Sequence, residues 1–175
     1  MNTLRKRPPL ELDELEQLLG HLAYEWLMLE YTRYEWKVCR QRYVLEALLL
    51  HCRNLRDFLF GSIELSDVHV DKALFAADYA PSWCADKGHH RYQVLWDTQK
   101  AINAQLAHLS RDRLDPEVRR PLDEQAGQIA RAVVTAWLSF RRALDDVPQW
   151  SGALDKAITA KRTELGLPHD TEGQP

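Results

Sequence analysis

The stretch Leu45–Phe60, LEALLLHCRNLRDFLF, decides the fold class. Leu45, Leu48, Cys52, Leu55 and Leu59 recur at three- and four-residue steps, the apolar stripe of a buried helix face. Val44, His51 and Phe58 widen that stripe. Glu46, Arg53 and Asp57 line the polar side, where Arg53 can pair with Asp57 one turn further on. Gly61 is a natural stop.

Upstream, a second helical pattern runs from about residue 10 to the mid-thirties. Pro8 and Pro9 suit a helix entry, because a first-turn proline loses no needed N–H. Glu11, Asp13, Glu14 and Glu16 place negative charge in the opening turns, where it complements the helix dipole. Leu12, Leu15, Leu18 or Leu19, Leu22, Trp26 and Leu29 are the expected buried stripe. Gly20 weakens this helix without ending it. Neither glycine nor proline separates it from the next helix, so the break is placed near Tyr34–Gln41. Tyr24, Met28, Tyr31 and Tyr34 add apolar surface on a second side. A helix of that kind packs on two neighbours, or on one neighbour and a second subunit. A homodimer is the expectation.

Downstream, residues 62–90 read as irregular, with turn signals at Ser66-Asp67 and Pro81-Ser82. A helix is expected over about 90–111. Asp115-Pro116 and Arg120-Pro121 then interrupt the chain. Ala126, Ile129, Val133, Trp137, Phe140 and Leu144 mark a further helix of about 22–25 residues ending before Pro148. Ser151 is a suitable N-cap for a short last helix carrying Leu154, Ile158 and Leu165. The expectation is an all-α antiparallel bundle of four long helices plus a short C-terminal helix. Residues 1–165 would form one domain and 166–175 a disordered tail.

Composition agrees with a single globular domain: 175 residues, 45% apolar, only 7 glycines. A net charge of −3 argues against a uniformly basic, nucleic-acid-binding surface. Cys39, Cys52 and Cys84 are odd in number and lack CxxC spacing. Together with the lack of a signal peptide, they imply reduced thiols and a cytoplasmic location. No apolar run is long enough to span a membrane.

Candidate chemistry concentrates in Lys100–Arg113, KAINAQLAHLSRDR. Leu95, Ile102, Leu106 and Leu109 form its apolar stripe, and His108 points well away from it, at about 100° per residue. Ala101 and Ala104 would keep the surface low around His108, so that a ligand or second subunit can approach. A solvent-exposed helix histidine is the plainer reading. The basic residues form two groups: Arg33, Lys37, Arg40, Arg42, Arg53 and Arg56, then Arg111, Arg113, Arg119 and Arg120. The sharper reading is a phosphate-binding rim of Arg53, Arg56 and Arg111 beside His108; the plainer one is a solvated face. His21, His51 and His108 fall on three helices, which leaves a three-histidine metal site as a minor alternative. His51 also reads as a hydrogen-bonded core histidine. Cys84 and His89 are one loose pair without a second at zinc spacing. Nucleotide-binding, GxSxG and HExxH motifs are absent, as is any Glu-x-x-His pair. No metal and no cofactor are expected.

Two segments together resemble the HEPN superfamily of helical-bundle proteins. Leu48–Phe60 is similar to the LLHARNLIDFL pattern of a bacterial HEPN-like group. Ile102–Arg113 is similar to that group's INKxLAHLTxxR segment. The resemblance covers roughly residues 40–115. HEPN ribonucleases carry an arginine separated from a histidine by four to six residues, and His108 matches the histidine. Ala101, Ile102 and Asn103 occupy the arginine's places. In active members the two groups, drawn from two subunits, act on the RNA 2′-hydroxyl and the scissile phosphate.

The resemblance therefore implies one of two functions. The first is a homodimeric, non-catalytic regulatory or interaction module related to RNA-targeting toxin–antitoxin or defence proteins, with an RNA or protein partner. Its grounds are the missing arginine, the acidic net charge and the second apolar face of the first helix. The second is a metal-independent ribonuclease. There His108 would be the acid/base, and Asn103 with Arg111 or Arg113 would position the phosphate. A neutral amide stabilises developing phosphate charge less than a guanidinium does.

Overall fold

The computed structural model describes residues 11–61, 75–83, 90–106 and 122–168. Among these residues every regular element is helical. Four helices exceed three turns: α1 (Leu12–Cys39), α2 (Arg42–Phe60), α6 (Ala126–Leu144) and α7 (Pro148–Glu164). Three short ones lie between: α3 (Ala76–Tyr79), α4 (Gln93–Asp97) and α5 (Gln99–Leu106). The all-α bundle follows.

α1 starts where its acidic first turn begins. The Glu11 N–H donates to Glu14 Oε2 at 3.0 Å, which closes the opening turn. Leu15, Leu19, Leu22, Trp26 and Leu29 are buried as expected, but Leu12 is 62% exposed because it precedes the packed part of the helix. The break before α2 falls within the expected window. Arg40 makes it, adopting the left-handed conformation at φ 52° that glycine ordinarily supplies. Its guanidinium lies 5.0 Å from the centre of the Trp36 ring, a cation–π contact that helps hold the turn.

α2 ends at Gly61 for a different reason. Gly61 has ordinary negative φ, but a Cβ there would lie 2.5 Å from the Phe75 ring and 2.0 Å from the Asp57 carbonyl oxygen. Close approach of another side chain requires the glycine.

The expected helix over 90–111 is broken. After a 3₁₀ turn at His90–Tyr92, α4 and α5 meet at Thr98, which is fully buried. The Thr98 hydroxyl donates back to the Val94 carbonyl, a bond that bends helices. The C-terminal helix, in turn, is longer than its sequence suggested. Pro148 occupies its first turn, so α7 begins three residues ahead of Ser151 and takes in the buried Trp150. The fourth long helix is therefore C-terminal. α6 is 19 residues, somewhat shorter than expected, and all six residues of its predicted stripe are buried.

Contacts set the helix directions. α1 and α2 form a hairpin, with Glu25 facing His51. α6 and α7 form another, tied by Arg141 to Asp155. Trp26 stacks on Trp137 at 4.8 Å, and Phe58 meets Phe140 edge-on at 5.3 Å. At one end of the bundle Tyr79 donates to the Leu15 carbonyl and packs on Trp150. Near the other end Arg162 approaches Glu30 at 3.5 Å. α7 thus runs parallel to α1, while α6 runs parallel to α2. The segment between α2 and α6 has to carry the chain back along the bundle.

Candidate functional site

α2 carries most of the polar chemistry that the structure describes. His51 is 5% exposed, and its Nδ1 lies 2.7 Å from Glu25 Oε2 on α1. The Tyr24 ring meets the imidazole edge-on, with centroids 5.8 Å apart. His51 is accordingly a core histidine satisfied by a carboxylate, the plainer of its two readings. Among the described residues no three His, Cys, Asp or Glu side chains are grouped to hold a metal ion. His21 sits exposed on α1.

Cys52 follows His51 and is fully buried. Burial pushes its thiol from the ordinary 9.0 up to about 12, and the positive charges of Arg33 and Arg56 offset only part of that. At neutral pH it is a protonated thiol and a poor nucleophile.

Arg53 and Arg56 were both expected on a phosphate-binding rim. Arg53 is half-exposed, and its Nε stands 3.8 Å from Asp57 Oδ2, the pairing anticipated from their spacing. Arg56 is only 3% exposed and so does not reach an open surface. Its Nε and Nη2 both donate to Asp57 Oδ1, at 2.9 and 2.6 Å. Its Nη1 is buried without a hydrogen-bond acceptor among the described residues. A buried guanidinium with an unmade bond is costly, so this corner of α2 has unused capacity for an acceptor.

Asn103 lies on α5, which packs against α2. Its Oδ1 is likewise buried and lacks a donor. Ala101 is 3% exposed, so it belongs to the core with Ile102 rather than to a low surface beside His108. The stripe counted from Leu95 persists through Thr98 to Ile102, and Ala101 widens its buried side. His108, Arg111 and Arg113 lie outside the described residues, as do Cys84 and His89. The structure therefore places Asn103, Arg53 and Arg56, and it leaves the acid/base candidate unplaced.

A second surface emerges from the tertiary structure. α1 packs on α2 and α7, and α2 packs on α1, α5 and α6, so each helix keeps one side exposed. There α1 exposes Tyr24, Tyr31, Tyr34 and Val38, and α2 exposes Tyr43 and Leu50. Tyr24, Tyr31 and Val38 are spaced by seven residues, as are Tyr43 and Leu50, so each set forms one stripe. Tyr24, Tyr31 and Tyr34 were legible in sequence as a second apolar side. Val38, Tyr43 and Leu50 were not, because their own helices offered no reason to separate them from core residues.

Comparison with known proteins finds no family model, no curated protein and no solved structure that matches this chain. No described helix is long and apolar enough to cross a membrane.

Proposed function

We propose that the chain is a HEPN-like homodimer acting as a non-catalytic regulatory or interaction module, of the kind associated with RNA-targeting toxin–antitoxin and defence systems. The observation that carries the dimer is the apolar outer face of the α1–α2 hairpin: four aromatic and two aliphatic side chains exposed together. Contiguous apolar surface of that kind marks an interaction site. The likeness of Leu48–Phe60 and Ile102–Arg113 to HEPN segments supports the family. The missing arginine, with Ala101, Ile102 and Asn103 in its places before His108, supports the lack of catalysis. Light scattering on the purified chain tests the reading. A homodimer is expected at micromolar concentration, and a 20 kDa monomer across that range would refute it.

A second reading keeps the fold and adds RNA cleavage, with His108 as acid/base, Asn103 and Arg113 at the phosphate, and Arg53 and Arg111 as further contacts. The Asn103 Oδ1, buried without a donor among the described residues on a half-buried side chain, favours it, since a ligand hydroxyl could complete that bond. Incubation of the protein with single-stranded RNA separates the two readings. Cleavage that disappears in His108→Ala would establish the second, and intact RNA would leave the first.

A further inference from the structure

The exposed edge of α2 carries a charge order that fits its own reverse. Arg42, Glu46, Leu50, Arg53 and Asp57 follow one another at four-, four-, three- and four-residue steps along that edge. Their order is positive, negative, apolar, positive, negative. Arg42 and Glu46 pair within the helix at 3.3 Å, and Arg53 and Asp57 at 3.8 Å. All four side chains keep substantial exposure, between 39 and 87%. The two internal pairs hold each charge at a fixed height on the helix.

Turn a second α2 end for end and lay it against the first, so that Leu50 meets Leu50. Arg42 then faces the second copy's Asp57, and Glu46 faces the second copy's Arg53. Every charge along the edge meets its opposite. A parallel arrangement would set like against like. This is the pattern required of an isologous twofold contact, where one patch must complement itself. The apolar residues continue the same face: Tyr43 on α2 and Tyr24, Tyr31 and Val38 on the neighbouring α1. The area is sufficient. α2 is about 28 Å long and each helix about 10 Å across. The outer face of the hairpin therefore presents on the order of 600 Å² before side-chain relief is counted, close to the roughly 800 Å² that each partner gives a standard interface.

We infer that the occupant of this face is a second copy of the chain, with the two α2 helices antiparallel about Leu50 and with Arg42–Asp57 and Glu46–Arg53 pairs running between subunits. The inference rests on the homodimer proposed above and specifies its geometry. Charge reversal tests it on the full chain by analytical ultracentrifugation, with circular dichroism as a check on folding. Glu46→Arg alone sets arginine against the second copy's Arg53. Arg53→Glu alone sets two glutamates together. Each should weaken the dimer at least about tenfold. Mixed in equal amounts, the two single variants should recover it, because each reversed charge then meets its opposite. The double variant should also dimerise. If the wild-type dimer tolerates both single changes, this geometry is overturned and the dimer uses another face. The same conclusion holds if both singles dissociate and neither the mixture nor the double variant recovers. A wild-type monomer would overturn the geometry together with the dimer itself.

Discussion

Leu49 and Leu50 are adjacent in sequence, yet one is fully buried and the other is 40% exposed. Trp26 stacks within the core while Tyr24, two residues earlier, stands on the opposite side. The inner and outer faces of the α1–α2 hairpin are thus made of similar residues. What separates them is what they meet. The inner face meets α7 along α1 and α6 along α2, and the α6 stripe from Ala126 to Leu144 is wholly buried. On the outer face the described ring contact is that of Tyr24 with His51, within the hairpin itself. Apolar content alone cannot assign a helix face to a core, since α1 also leaves Tyr24, Tyr31, Tyr34 and Val38 exposed.

The largest test of that contrast removes one ring from each face. Trp137→Ala deletes the stacking partner of Trp26 and leaves a cavity; about 3–5 kcal/mol of stability should be lost. Tyr31→Ala on the outer face should change the stability of the dissociated chain by no more than about 0.5 kcal/mol. Urea unfolding at low protein concentration compares the two. Equal losses would mean that the outer face is packed within the monomer.

Gly61→Ala tests the close approach at the end of α2. The added methyl must displace both the Asp57 carbonyl and the Phe75 ring, and a cost of about 1–3 kcal/mol is expected in the same assay. A neutral result would show that Phe75 moves aside freely.

Cys52 gives the inner face a pH signature. Its folded value is raised above the ordinary 9.0, so the unfolded chain loses this proton first. The associated stability is complete below about pH 9 and declines as pH rises toward the folded value. Its slope is at most about 1.4 kcal/mol per pH unit. Tyr79 is also raised, by burial first and by the charge of Asp78 second, and slopes the same way. Subtracting the behaviour of Cys52→Ala isolates the thiol. Identical slopes for the two proteins above pH 9 would contradict its burial.

The smallest effect is expected at Arg40. Arg40→Gly relieves a left-handed residue by about 1 kcal/mol and gives up a cation–π contact of about 0.5–1 kcal/mol. The net change in thermal midpoint should be slight and, if anything, upward. A clear loss would make the Trp36 contact the stronger of the two.

Much of the fold was legible because period and burial agreed. The stripe of α2 and the six positions of α6 could be read from spacing alone. Three features could not. The bend at Thr98 comes from a side chain bonding its own backbone, which leaves the apolar period in place and hides the break. Pro148 was read as the end of one helix when it opens the next, since a proline suits both positions. Leu12 continues the stripe of α1 but lies beyond the helices that would cover it. The site was less legible still. Arg53 and Arg56 are both charged and three residues apart, but only tertiary packing puts one at the surface and the other in the interior. For Ala101, small size suggested an open surface where the structure shows a tight one.

The parallel course of α2 and α6 also bears on how the chain reaches this state. The α1–α2 hairpin joins neighbours in sequence and closes only a short loop, whereas α7 packs chiefly on the distant α1. Bringing Trp137 onto Trp26 closes a loop spanning most of the domain, and that entropy is lost before the contact returns any energy. The chain should therefore form the α1–α2 hairpin early and dock α6 and α7 on it late. Pulse-labelled hydrogen exchange should find amides of α1 and α2 protected before those of α6 and α7.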